Sequence, residues 1–427
     1  MRTIITNPAR ETWADLLRRP TITLEDIDQT VDMIFSEIQT KGDQAVLKYS
    51  QLFDNSKSNE IKVSIEEINS SGEKINDRLK EAIQKAKSNI EVFHRAQITE
   101  TVSVQTTEGV QCWQEKRPIE NIGLYIPGGT APLFSTVLML AVPAQIAGCK
   151  SIVLCSPPNR DGKIAPEILY TANLCGVTEI FMIGGIQAIA AMSIGTETVP
   201  KVDKLFGPGN QYVTIAKQWA QKYGVAMDMP AGPSELLVLA DESAIPSYVA
   251  SDLLSQAEHG KDSQVVLVSD SMNFIQQVQD ETLKQLEGLN RRAIAKSALS
   301  NSKFICIEDK QSRIDLVNAY GPEHLIICTR DDEFYLDNIV NAGSVFVGNW
   351  TPESAGDYAS GTNHTLPTNG FTSAYSGVNL DSFLKSITFQ KITKEGLRNL
   401  GPTVEIMAEA EGLQAHKNAV SIRLKDI

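Results

Sequence analysis

Four of the five histidines in this 427-residue chain lie in short glycine-containing segments that also carry a carboxylate. They occur in "SQAEHG" (255–260), "GPEHL" (321–325), "GDYASGTNH" (356–364) and "AEGLQAH" (410–416). Imidazole, with an unperturbed pKa near ~6.5, both moves protons and ligates metals at neutral pH. Such segments, brought together in space, would make a polar active site. On a helix Gln256 and His259 share a face, whereas Glu258 points away from it. Asp357, in the glycine-rich stretch "ESAGDYASG" read as a loop, and His416, near the C-terminus, could complete a nitrogen and oxygen set suited to Zn²⁺. A glutamine oxygen is an unusual fourth ligand, and neither H-E-x-x-H nor paired C-x-x-C occurs. On spacing alone, unrelated surface polar groups explain the four better.

The Glu323–His324 pair is more pointed. Gly321-Pro322 forces a turn, after which "HLIICT" enters a strand. The mouth of that strand then carries an imidazole that can take and return protons beside a carboxylate that can activate water. The plain alternative is a glutamate at a turn followed by a satisfied histidine. Three glycine-rich segments, "YIPGGTAPL", "MIGGIQAIA" and "FGPGN", follow apolar strands and open helical stretches. Backbone N–H groups at such helix starts can hold a phosphate or diphosphate. Neither G-x-G-x-x-G nor the P-loop pattern is present, so turn-forming glycine competes with a nucleotide cradle at each.

The elements that must position these groups alternate along the chain. Apolar runs ("SIVLCS", "TEIFMIGG", "DKLFGPG") alternate with helical patterns ("APEILYTANLCG", "GIQAIAAMSIGTETV") over 120–235. A helix stops at a glycine before a strand in "AGCKSIVLC" and "LCGVTEIFMI". This is the pattern of a βαβ array with a parallel sheet. A second α/β unit follows over about 236–380, with strands "ELLVLAD", "QVVLVSD", "HLIICT" and "SVFVGN". Residues 21–98 read as mostly helical, with His94 on an amphipathic stretch as surface or helix packing. The last fifty residues read as two helical pieces hinged at Gly401-Pro402, with too little apolar surface for a core of their own.

Net charge of −13 and the absence of a long basic run exclude nucleic acid as an expected partner, but not a small anionic cofactor. The most apolar run, "APLFSTVLMLAVPAQIAGC", is interrupted by Pro143 and Gln145 and reads as a buried helix, not a membrane span. The N-terminus has no signal-peptide core. Six cysteines without C-x-x-C spacing read as reduced core residues of a cytoplasmic protein.

Taken together, several long blocks resemble the histidinol dehydrogenase family in the same order along nearly the whole chain. The block "DMPAGPSELLVLAD…VASDLLSQAEHGKDSQ" at 228–264 is similar to the family's signature. "NIGLYIPGGTAPLFSTVLMLAVPAQIAGC", "KLFGPGNQYV", "YGPEHL", "TPESAGDYASGTNHTLPT" and "AEAEGLQAHKNAV" resemble other characteristic segments. Lys261, where proline is usual, and Ile326, where an acid is common, depart from the pattern away from the catalytic positions. The resemblance implies an α/β fold with two incomplete Rossmann-like domains of the aldehyde/histidinol dehydrogenase type and a helical C-terminal tail. Its expected divisions are an N-terminal arm (1–20), a catalytic domain (21–119 with 236–380), an NAD-binding domain (120–235) and a dimerisation tail (381–427).

The implied activity is NAD-dependent, four-electron oxidation of L-histidinol through L-histidinaldehyde to L-histidine, the last step of histidine biosynthesis. Carried onto this sequence, the resemblance makes Glu323 and His324 the proton-transfer pair. It makes Gln256, His259, Asp357 and His416 the ligands of one Zn²⁺ per subunit. Substrate contacts would be Ser234, His364 and Glu411, together with His324 and the metal ligands. NAD contacts would be Tyr125, Gln187 and Asn210. It also implies a cytoplasmic homodimer whose tails are exchanged, so that Glu411 and His416 complete the partner's site. Two other classes fit parts of the pattern: a zinc hydrolase using Glu323 as base, and a nucleotide-binding regulator without catalysis.

Overall fold

The computed structural model describes residues 4–20, 25–54, 58–128, 132–159, 162–230 and 232–427. Gly129, Thr130 and Ala131 of the "YIPGGTAPL" segment, and the first three residues of the arm, lie outside them. Two parallel sheets dominate. The first runs Glu179–Phe181, Ser151–Cys155, Asn121–Tyr125, Lys204–Phe206, Ala226–Met227. The second runs Ile5–Thr6, Lys303–Cys306, Gln264–Ser269, Glu235–Ala240, His324–Cys328, Ser344–Val347. Strands Glu235–Ala240, Gln264–Ser269 and His324–Cys328 are buried along their whole length. Alternate residues enter different cores, Leu236 and Val238 on one face and Leu237 and Leu239 on the other. A parallel sheet covered on both faces needs such unbroken apolar runs.

The expected short strands are present, and the helices end at Gly148 and Gly176 as their spacing indicated. The apolar run is a helix, Phe134–Ala147, buried along most of its length. Among the described residues no helix is long and apolar enough to cross a membrane. Because that helix is apolar all round, it needs cover on its outer side. Helix Asp77–Arg95 supplies it with Ile83, Ala86 and Ile90. Helices Glu25–Lys41 and Asp43–Phe53 cover the other side of the same unit, against Gly185–Ile194. The helical segment expected to group with residues 236–380 therefore packs on the sheet of residues 120–235. His94 is buried there, with Nδ1 2.8 Å from the Ile90 carbonyl.

Two further departures concern the ends. Leu384–Ile392, inside the expected tail, is a strand in a three-stranded antiparallel sheet with Val110–Pro118 and Val102–Thr107. The tail proper is helical, but helix Lys394–Ala410 runs through Gly401-Pro402, and the break comes at Gly412. Gly401 lies against the returning helix, where an added Cβ would come 3.0 Å from Leu424, so packing holds the helix together at that point. Gly412 has φ of 73°, and the N–H groups of Gly412 and Leu413 bond the carbonyls of Glu409 and Ala408. This is the left-handed stop that glycine favours.

The N-terminal arm is tied down by charge as well as by strand pairing. Arg19 donates to Glu235 from Nε (2.6 Å) and Nη2 (2.9 Å) and lies over the Tyr320 ring. Both side chains are largely buried, 14% and 3% exposed. Arg19→Met would strand a buried carboxylate and is expected to cost about 3–5 kcal/mol. Chemical denaturation checks this; an unchanged midpoint would show the pair to be dispensable.

Asp252, on helix Pro246–Ala257, faces the second sheet's core, and burial pushes its carboxyl up to about 7. The folded chain therefore holds a proton there that the unfolded chain releases near ~4. Stability from this group is fully present below that value and is lost as pH rises toward about 7. Asp252→Asn should flatten that slope and stabilise the fold at neutral pH by on the order of 1–3 kcal/mol. Parallel pH–melting curves for the two proteins would contradict it.

Candidate active site

The carboxyl ends of the first sheet face the amino ends of the second, and the candidate residues collect where they meet. In the first sheet the strand order reverses between Asn121–Tyr125 and Lys204–Phe206. The crevice outside such a reversal is where α/β sheets leave room for ligands. Pro127, Pro208, Gly209 and Asn210 line it. From the second sheet come Ser234, just before strand Glu235–Ala240, and the Glu323–His324 pair opening strand His324–Cys328. Gly321, at φ 56°, ends helix Lys310–Tyr320 and turns the chain into that strand. Gln256, His259, Asp357 and His364 complete the wall of a cleft of about 210 Å³.

Glu323 is held by the Glu235 backbone N–H, which donates to its Oε2 at 2.8 Å. His324 Nδ1 lies 3.2 Å from the Glu235 carbonyl and 3.6 Å from Glu323 Oε2. Donation from Nδ1 to that carbonyl leaves Nε2 as the basic nitrogen. Among the described residues Nε2 has no hydrogen-bond partner, though Asp357 Oδ1 is 3.5 Å away and Glu353 Oε1 3.9 Å. Burial opposes a charge on this imidazole, but Glu323 and Asp357 outweigh it and raise its pKa well above the ordinary histidine value. The same His324 charge, against the opposing effect of burial, holds Asp357 below the usual carboxylate range. Burial and then the Asp357 charge push Glu353 above it. A bound cation would reverse much of this.

Gln256, near the end of its helix, donates from Nε2 to Glu353 Oε1 at 2.6 Å, while its Oε1 is buried without a partner among the described residues. His259 follows in the terminal turn, its N–H 3.2 Å from the Gln256 carbonyl. Asp357 lies on a short helix, Glu353–Tyr358, where a loop was expected. His364 is fixed by Nδ1 to the Asp357 carbonyl (2.8 Å) and Nε2 to Thr136 Oγ1 (3.1 Å), bridging the two α/β units. Glu411 and His416 are exposed on the tail and do not line this cleft within one chain. Sequence reasoning missed Glu353. It is 1% exposed, and with His324 and Asp357 it forms a group of possible metal ligands whose atoms lie within 4.8 Å of one another. The i, i+4 spacing of Glu353 and Asp357 was the available signal.

Asn210 also lines a neighbouring cleft of about 580 Å³, together with Tyr125 and Gln187. Tyr125 Oη accepts from the Gly185 N–H at 3.1 Å, and Asn210 caps helix Gln211–Ala220 through the Val213 N–H. Gln187 donates to Asp54 at 2.9 Å, leaving its own Oε1 buried and, among the described residues, unpartnered.

The family model of histidinol dehydrogenase matches residues 17–424. The chain belongs to the histidinol dehydrogenase family. It is therefore an oxidoreductase, and the hydrolase and regulator alternatives fall. A histidinol dehydrogenase of Bacteroides thetaiotaomicron is 55% identical, with all of both chains covered. One from Shigella sonnei is 54% identical over 97% of this chain and 95% of its own. The crystal structure of the histidinol dehydrogenase from Elizabethkingia anophelis superposes with a TM-score of 0.96 at 56% identity, covering 99% of this chain and 98% of that one.

Proposed function

We propose that this histidinol dehydrogenase oxidises L-histidinol through L-histidinaldehyde to L-histidine with NAD and one zinc ion per subunit, as the closing step of histidine biosynthesis. One observation carries the reading. Glu323, His324, Gln256, His259, Asp357, Ser234 and His364 line one cleft, and Asn210 joins it to the cleft holding Tyr125 and Gln187. Both implied groups meet suitable unsatisfied atoms. Gln256 Oε1 is a buried acceptor beside an imidazole and a carboxylate, and Gln187 Oε1 is a buried acceptor in the larger cleft.

Gln256, His259 and Asp357 would hold the metal, with the partner's His416 completing the set. When bound, zinc would anchor the imidazole and amine of the substrate, and NAD would accept hydride. His324, through Nε2, takes the hydroxyl proton so that the alcohol carbon can give up hydride. An aldehyde has no second hydride to give until water adds to its carbonyl. Glu323 takes a proton from that water while His324 returns its proton to the carbonyl oxygen, and the freed His324 then takes a proton from the hydrate as the second hydride leaves. Ser234 and His364 position the substrate, with the partner's Glu411 contributing from the tail. None of the six cysteines is among the residues lining either cleft, which supports a hydrate route.

On this reading the first sheet's unit binds NAD, the second sheet's unit does the chemistry, and the helical tail joins two subunits. Ile406, Met407, Leu413 and Ile422 expose apolar surface on that tail, as an unpaired interface would. Six free cysteines fit a reducing cytoplasm. Net charge of −13 supports small-molecule substrates over nucleic acid.

With limiting histidinol and excess NAD, nicotinamide absorbance should report two NADH formed per histidinol, with histidine as product. One NADH per histidinol with free aldehyde, or no absorbance change, would overturn the reading.

A further inference from the structure

A glutamine is an ambiguous metal ligand, because its amide can present either an oxygen that binds a cation or an NH₂ that cannot. Here the choice is made by Glu353. Its carboxylate is 1% exposed, at the start of helix Glu353–Tyr358. Oε1 accepts from Gln256 Nε2 at 2.6 Å, and Oε2 lies 3.0 Å from Ser255 Oγ, whose hydroxyl is also 2.8 Å from the Asp252 carbonyl. The carboxylate is thus fixed at both ends by consecutive residues of the helix that carries Gln256. With Oε1 accepting, whether or not Oε2 carries a proton, the amide nitrogen must face it. The oxygen is left buried and, among the described residues, unpartnered, in a residue that lines the cleft. Turned over, the amide would set two acceptors against each other and strand a buried N–H.

We infer that Glu353 is a positioning residue that locks the Gln256 amide with its oxygen toward the metal, making glutamine a competent ligand. This rests on the zinc reading above. It also separates Glu353 from two other roles that its place beside His324 and Asp357 allows, a direct ligand or a source of negative charge.

The test is zinc affinity of the full-length dimer without substrate, by chelator competition, with the visible spectrum of the cobalt-loaded protein as second readout. Glu353→Met removes the acceptor and should weaken zinc binding by ~10–100-fold, the usual consequence of losing a group that orients a ligand. Glu353→Gln removes the charge but keeps an acceptor oxygen, and should stay within a few-fold of wild type with an unchanged cobalt spectrum. Adding Gln256→Glu to Glu353→Met should recover most of the loss, because a carboxylate offers an oxygen either way round.

Equal large losses in Glu353→Gln and Glu353→Met, or no recovery in the double variant, would overturn the inference in favour of a ligand or charge role. Should Glu353→Met fail to fold, Glu353→Gln alone still decides between retained and lost affinity. If Gln256→Ala binds zinc as wild type does, the metal reading itself fails and takes this inference with it. If Gln256→Ala loses affinity while Glu353→Met does not, only this inference falls.

Discussion

Replacing His324 with Asn is expected to lower turnover by ~10²–10⁴-fold, the range for loss of a positioned proton-transfer group. Zinc content and histidinol binding should hold. The reason is geometric. His324 Nδ1 is 3.2 Å from the Glu235 carbonyl, and the residue is 3% exposed, so the ring is aimed by the strand it opens. An asparagine amide can replace that donated hydrogen bond but cannot take a proton from an alcohol or a hydrate. Both oxidations should therefore slow together. Stopped-flow absorbance and a metal assay on the same preparation check this. Loss of the metal from this variant would mean that His324 is a ligand, as its grouping with Glu353 and Asp357 would allow.

The second large effect concerns the tail. Glu411 and His416 are exposed and absent from the cleft of their own chain, and Ile406, Met407, Leu413 and Ile422 of the tail face water. A chain ending before Gly401 should lose zinc and activity together. A sharper form uses two point variants, His416→Ala and Asp357→Ala, each inactive alone. Co-expressed, their heterodimers carry one site with both defects and one with neither. If half the dimers are mixed, about a quarter of wild-type activity should return. No recovery on co-expression would show that each site is built from a single chain.

The sequence made the parallel sheets legible because strands such as "ELLVLA" and "QVVLVS" carry unbroken apolar runs after their first residue, as burial on both faces demands. Short or exposed strands left no such trace. Ile5–Thr6 has two residues, and Leu384–Ile392 is mostly exposed, so neither shows a period. The packing of helices 25–95 on the first sheet depends on which apolar faces lack cover, which no local pattern records. In the site, Glu323–His324 stood out because a turn and a strand bracket it. Glu353 did not, because the glycine in "ESAGDY" made a one-turn helix look like a loop, hiding an i, i+4 pair of carboxylates. The grouping of Gln256, His259 and Asp357 was beyond spacing, since it joins the end of one helix to another about a hundred residues away.

The most direct test is a crystal structure of the zinc-loaded dimer with histidinol, the ion identified by its anomalous scattering. The account predicts the ion at ~2.0–2.2 Å from Gln256 Oε1, a His259 nitrogen, an Asp357 oxygen and the partner's His416. His324 Nε2 would then be free and facing the substrate hydroxyl. An ion held instead by His324, Glu353 and Asp357 would contradict it, because the proposed base would be bound to metal.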